Sequence, residues 1–162
     1  MQANIGLYSA HIPLDLHPAY GNNRVLADLI GLENLESFGE YDGIKIGFKG
    51  SLPAISSEKL GQVLEHKLDS QVKVIGKGDV KTVGLVTGGA ADIVRQAIQE
   101  GLDCYITGEG ANHHFHEATE GNCILIFAGH YATETGGVKS VGKHLKEKFD
   151  IDSEFLHYPT GL

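Results

Sequence analysis

From Val80 onward the chain alternates short apolar runs with helical patterns, which is the feature that most restricts its fold. Val83 to Val86 is apolar, and Gly88-Gly-Ala-Ala-Asp92 leads into a helical pattern carrying Ile93, Val94, Ala97 and Ile98. Cys104 to Thr107 is apolar again, a short helix opens at Asn112, and Cys123-Ile-Leu-Ile-Phe-Ala128 follows unbroken. Runs of this length without polar alternation belong to strands covered on both faces, and strands separated by helices form right-handed β-α-β units. The fold class is therefore α/β, layered, with mostly parallel or mixed sheets and flanking helices.

The first half carries the same vocabulary less regularly. Ile5-Gly-Leu-Tyr-Ser-Ala-His11 reads as a strand, opening into a loop stiffened by Pro13 and Pro18 that contains Asp15. Asn22 or Asn23 caps a helix with Val25, Leu26, Leu29 and Ile30 on one face and Gly31 at its end. A Gly-rich, acidic turn region follows, then a strand at Ile44 to Phe48. Ser56 or Ser57 opens a helix with Leu60, Val63, Leu64 and Leu68 on one side, and Val72 to Ile75 alternates as a strand. After residue 128 the pattern predicts a helix from about Tyr131 to Phe149 and a last strand near Glu154 to Tyr158. The first strand begins almost at Met1 with nothing to cover it, as if an upstream element were missing.

Length and charge narrow the function. A chain of 162 residues makes one domain with a sizeable core, and no Pro-, Gly- or Ser-rich linker divides it. A net charge of -8 disfavours nucleic acid as a partner, since phosphate binding relies on clustered Lys and Arg, and points to a small molecule or a protein. Cys104 and Cys123, the only cysteines, each sit in an apolar run, which suits reduced thiols better than a disulfide framework. No signal peptide or membrane-spanning run is present, and the expected location is cytoplasmic.

Nine histidines fall largely into three groups behind the apolar runs: His11 with Asp15 and His17; Glu109 with His113, His114 and His116; His130 with Glu134. His17, His66, His144 and His157 read as surface or packing residues. The His-x-x-x-Glu pair is the sharpest signal. Entering a helix, it puts imidazole and carboxylate on one face, where one divalent ion can bridge them, at a strand's carboxyl end where α/β sheets hold ligands. Imidazole and carboxylate without neighbouring thiolates suit zinc, manganese, iron or nickel, in a site that lowers the pKa of water or polarises a carbonyl or phosphoryl oxygen. Each residue also has a plainer use: Glu134 as a first-turn carboxylate, Asp15 as a turn residue, Glu109 and His113 as helix-cap or exposed groups. Thr87-Gly88-Gly89-Ala90 is either an anion-holding strand-to-helix turn or simply a tight one. No Gly-x-Ser-x-Gly elbow supports a serine hydrolase.

Ser9-Ala-His-Ile-Pro-Leu-Asp15, Gly21-Asn-Asn with Leu26-Ala27, Thr107-Gly-Glu with His113-His114, Gly129-His-Tyr-Ala-Thr-Glu134 and the ending Pro159-Thr-Gly-Leu carry a resemblance over essentially the whole chain. Together they resemble the Nif-three-like family of dinuclear metal-centre proteins, whose members go by the name GTP cyclohydrolase 1 type 2. The resemblance implies a two-lobed α/β fold, with residues 1–42 and 129–162 as a metal-site lobe and 43–128 as a second lobe. It further implies a ring-shaped homohexamer, up to two divalent metals, and hydrolysis of a nucleotide or related small molecule. Asp15, His130 and Glu134 would be metal ligands, Glu134 bridging and catalytic; His11, Glu109 and His113 would stand nearby, around the ligands or the substrate. The family's adjacent His-His ligands have no counterpart before Met1, and His113-His114 matches a later family position. The fold is then an N-terminally truncated one, with one metal rather than two as an alternative. A non-catalytic metal-binding or protein-interaction module is the competing reading.

Overall fold

A computed structural model describes residues 4–159. Six strands form one mixed sheet in the order β1-β2-β4-β5-β6-β3. They are β1 (Glu33–Tyr41), β2 (Ile44–Ser56), β3 (Lys73–Ile75), β4 (Asp79–Leu85), β5 (Cys104–Thr107) and β6 (Ile124–Phe127). The central β4, β5 and β6 run parallel, while β1, β2 and β3 join antiparallel. Among the described residues seven α-helices accompany them: α1 (Ile12–Asp15), α2 (Asn22–Ile30), α3 (Ser57–Leu68), α4 (Val94–Gln99), α5 (Asn112–Glu120), α6 (His130–Thr133) and α7 (Thr135–Phe149). No helix among the described residues is long and apolar enough to cross a membrane.

The continuous apolar character of the central strands has a direct cause. Along β5, Cys104 and Ile106 enter a core with Leu26 of α2 and Leu60 and Leu64 of α3, while Tyr105 enters the opposite core with Val94, Ala97 and Ala118 of α4 and α5. On β6, Ile124 and Ile126 join the first core and Leu125 the second. Both faces are covered by helices, so neither can be polar. The Tyr105 hydroxyl meets the remaining polar requirement by donating to the Ala90 carbonyl at 2.7 Å. Cys104 and Cys123 are buried and unbridged, as their placement in apolar runs suggests.

Five local expectations change. Residues 4–10 form no strand, and Ile5, Leu7 and Tyr8 are exposed, because no strand of the sheet pairs with them. Asp15 lies not in an open loop but at the end of the one-turn α1. The acidic region before Ile44 is the strand β1, turned back into β2 by Asp42 and Gly43, both at positive φ (49° and 79°). That Asp-Gly pair is a strong hairpin signal hidden by the surrounding Glu and Gly. The helix after β6 breaks at Glu134 (φ -102°, ψ 5°) into α6 and α7. Residues 151–159 form no strand. Helix α2 ends on the left-handed Gly31 as expected, and Ser56 caps α3 by accepting from the Lys59 N–H.

Candidate functional site

Three loops leave the carboxyl ends of β4, β5 and β6 side by side, and a glycine in each continues the ladder past the strands. The Gly108 N–H donates to Gly88 O at 2.8 Å, and the Gly129 N–H to Gly108 O at 2.9 Å. The backbones are too close here for side chains. A Cβ on Gly108 would lie 2.6 Å from Gly88 O and 2.7 Å from His130 Cα. One on Gly88, which has φ +74°, would lie 2.2 Å from Glu134 Oε1 and 3.3 Å from His130 Nε2. The double glycine of 88–89 thus serves as the floor on which the His130 and Glu134 side chains rest.

On that floor His130 and Glu134 come together despite the break between α6 and α7, Nε2 standing 3.4 Å from Oε2. The other ring nitrogen, Nδ1, lies 2.8 Å from Glu109 Oε1. A histidine held at Nδ1 by a carboxylate offers Nε2 in a fixed direction. Hydrogen bonding to Glu109 holds the His130 pKa above its ordinary value against partial burial, with Glu134 adding to the rise. Burial also holds the Glu134 carboxyl above its ordinary value, Asp15 adding to it while His130 and His11 pull it back.

The N-terminal segment closes the group. One ligating atom each from His11, Asp15 and Glu134 lies within 4.8 Å of the others. Asp15 is held by Asn22, whose Nδ2 donates to Oδ1 at 2.7 Å, while Asn22 Oδ1 accepts from the Gly137 N–H of α7. Asn23 braces the same corner: Nδ2 donates to Ile46 O at 2.7 Å, and Oδ1 accepts from the Thr87 N–H at 2.8 Å. The sequence pattern makes Asn22 or Asn23 the helix cap, but Gly21 occupies that position and both asparagines are buried within the first turn of α2. The usual role of Asn at helix starts masks this one, and only the doubling of Asn-Asn hints at it.

The donor set fits a divalent ion. Ligands of a tetrahedral zinc stand about 3.4 Å apart, given bonds of about 2.1 Å, so a separation of at most 4.8 Å closes with side-chain adjustments of about an ångström. Imidazole nitrogen and carboxylate oxygen are the ligand types such ions take.

His113 does not join this group of side chains but stands beside Asp92. With His114 it turns toward Asp92, Nε2 atoms at 4.0 and 3.2 Å from Oδ1, and Arg95 stands 3.9 Å from the same oxygen. The Asp92 carboxyl is held below its ordinary value, mostly by the His114 hydrogen bond. His114 is buried, its Nδ1 accepting from the Ala111 N–H at 2.9 Å. This second group of potential ligands (Asp92, His113 and His114) already contains a cation, Arg95, beside its carboxylate.

A cleft of about 320 Å³ joins these parts. His11, Asp15, His130 and Glu134 line one part, Tyr41, Ile46, Val86 and Ile93 provide apolar walls, and Asp92 also borders it. Thr87 lines it too, its Oγ1 buried without a partner among the described residues. Tyr41 and Asp92 carried no signal in the sequence, because one looks like a hairpin residue and the other like a first-turn acid.

Residues 1–160 match the model of the Duf34/NIF3 (NGG1p interacting factor 3) family. A protein of Deinococcus radiodurans named GTP cyclohydrolase 1 type 2 homolog is 37% identical, the match covering 100% of this chain and 63% of that protein. One of Pyrococcus horikoshii with the same name is 42% identical over 99% of this chain and 65% of its own length. Among solved structures, TTHA1606 from Thermus thermophilus superposes with a TM-score of 0.87 at 36% identity, covering 99% of this chain and 64% of that one. The chain thus spans a little under two thirds of the length of these relatives.

Proposed function

The chain belongs to the Duf34/NIF3 family, and from that premise we propose that it binds a divalent metal through Asp15, His130 and Glu134, with His11 adjoining them, and hydrolyses a nucleotide or related small molecule. The observation carrying this reading is the convergence of side chains from two distant segments, His11 and Asp15 from one and Glu134 from the other, with His130 against Glu134. Neither Lys nor Arg is among the described residues lining this cleft, so only the imidazoles face its carboxylates.

When bound, the ion would supply a Lewis acid that acidifies water or polarises the attacked group. The chain's residues have separate tasks in this reading. Glu109 holds the Nδ1 proton of His130 and keeps Nε2 directed at Glu134. Asn22 fixes the rotamer of Asp15, and the half-buried Glu134 presents its carboxylate to the ion. In the proposed division, residues 1–42 and 129–162 supply the ligands, and 43–128 supply Glu109 and the glycine floor. The family resemblance extends the proposal to one or two metals and to a homo-oligomer, a hexamer, which sizing by light scattering tests.

Elemental analysis after dialysis against zinc or manganese, on this chain and on H130A/E134A, tests the site. About one or two metals per chain, lost in the double variant, is the expected result. Equal metal in both proteins would remove the assignment. Stoichiometric metal without turnover of any nucleotide or nucleoside would favour the non-catalytic module.

A further inference from the structure

The charge and size of the cleft carry the substrate class further than the names of the relatives do. None of the described residues lining it is Lys or Arg, while Asp15, Asp92 and Glu134 all border it. Arg95, beside Asp92, is also engaged by Glu117. Backbone does not replace the missing cations. The Thr87–Ala90 turn, the obvious anion cradle, has its Thr87, Gly88 and Ala90 N–H groups taken by Asn23 Oδ1, Thr133 Oγ1 and Thr107 Oγ1. That leaves at most the Gly89 N–H for a phosphate, which normally needs several donors or a cation.

Without metal a triphosphate meets three carboxylates, and with one divalent ion still a net negative charge; only a second ion would reverse it. The remaining surface suits an uncharged body. Tyr41 from the hairpin tip and Ile46, Val86 and Ile93 offer apolar area to a flat ring. A volume of about 320 Å³ is at the small end of the roughly 300–1,000 Å³ usual for small-molecule sites.

We propose that this cleft takes an uncharged or cationic nitrogen heterocycle, a nucleobase or nucleoside without phosphates, and discriminates against nucleoside phosphates by charge. The proposal rests on the reading of the cleft as the substrate site and concerns what enters it, not which metal lies beside it.

Guanosine, GMP and GTP titrated into this chain by calorimetry, metal-free and zinc-loaded, test it. Guanosine binds most tightly and GTP about tenfold or more weaker, in both forms. The gap narrows with added salt, since screening weakens the repulsion. Y41A weakens guanosine severalfold with metal content unchanged, and I46K, which puts a cation in the apolar wall, narrows or reverses the order. GTP binding as tightly as guanosine, or no member of the series binding, overturns the proposal. Metal content on the same samples separates this from the metal reading: a chain without metal that still ranks the three ligands as expected leaves the cleft assignment standing alone.

Discussion

Glu109 Oε1 and His130 Nδ1 stand 2.8 Å apart across the ends of two parallel strands, so the loop after β5 sets the orientation of the imidazole that the loop after β6 supplies. If His130 is a ligand, E109Q retains the fold and still offers a hydrogen bond, yet loses the negative charge that raises the basicity of the ring. A loss of about 10- to 100-fold in zinc affinity is expected. Competition with a chromophoric chelator measures it, and unchanged affinity would show that Glu109 is incidental.

Asn22 carries two tasks with one buried amide, holding Asp15 and receiving the Gly137 N–H. N22A leaves a donor without its acceptor and frees Asp15, at a cost of about 1–3 kcal/mol in stability. N22D keeps the shape but sets a second carboxylate against the Asp15 oxygen now 2.7 Å from the amide, and is expected to be the worse of the two at neutral pH. Urea titration of both variants ranks them.

Asp103 anchors the opposite end of the sheet. Burial pushes its carboxyl up, but the N–H groups of Thr82 and Lys81 and the Thr82 hydroxyl, all donating to Oδ2, outweigh that and hold the pKa below its ordinary value. A carboxylate lowered in the folded state stabilises above its unfolded pKa of about 3.9, and the contribution fades as pH falls through the folded value. D103N is therefore expected to melt lower than the parent at pH 7, with a difference that shrinks below about pH 4. A pH-independent difference in melting temperature would assign the effect to packing alone.

Both thiols are expected to resist modification. Burial raises Cys123 to about 11 and Cys104 well above its ordinary value, and the thiolate is the reactive form. At pH 8 only roughly one Cys123 in a thousand is ionised. Ellman's reagent is expected to titrate neither residue in the native chain and both in guanidinium. Rapid native reaction at either would mean that the β5–β6 end of the sheet opens easily.

The parts legible in the sequence are those set by burial alone. Cys104–Thr107 and Ile124–Phe127 are found because both faces of the sheet are covered, which leaves an unbroken apolar signature. Ile5–His11 has the same local pattern but no strand to pair with, and pairing is a property of the whole fold. Strand β1 leaves no apolar signature because most of its residues are polar and outward, with Phe38 its one large side chain fully buried. At the site, His130 with Glu134 is readable from spacing, because four residues of helical backbone bring two side chains together even across a break. Asn22, Gly88 and Gly108 are not, since their roles come from backbones 20 to 115 residues away that only the sheet order brings close.

The Asn22–Gly137 hydrogen bond joins residues 115 apart in sequence. A nascent chain cannot form it until α7 has been made, and closing so long a loop becomes favourable only once the sheet and its helices hold the ends near each other. Asp15 is synthesised 115 residues or more before α7 is complete, yet is fixed in place only after it. Ion capture at this corner would then report that folding is finished, rather than seed it.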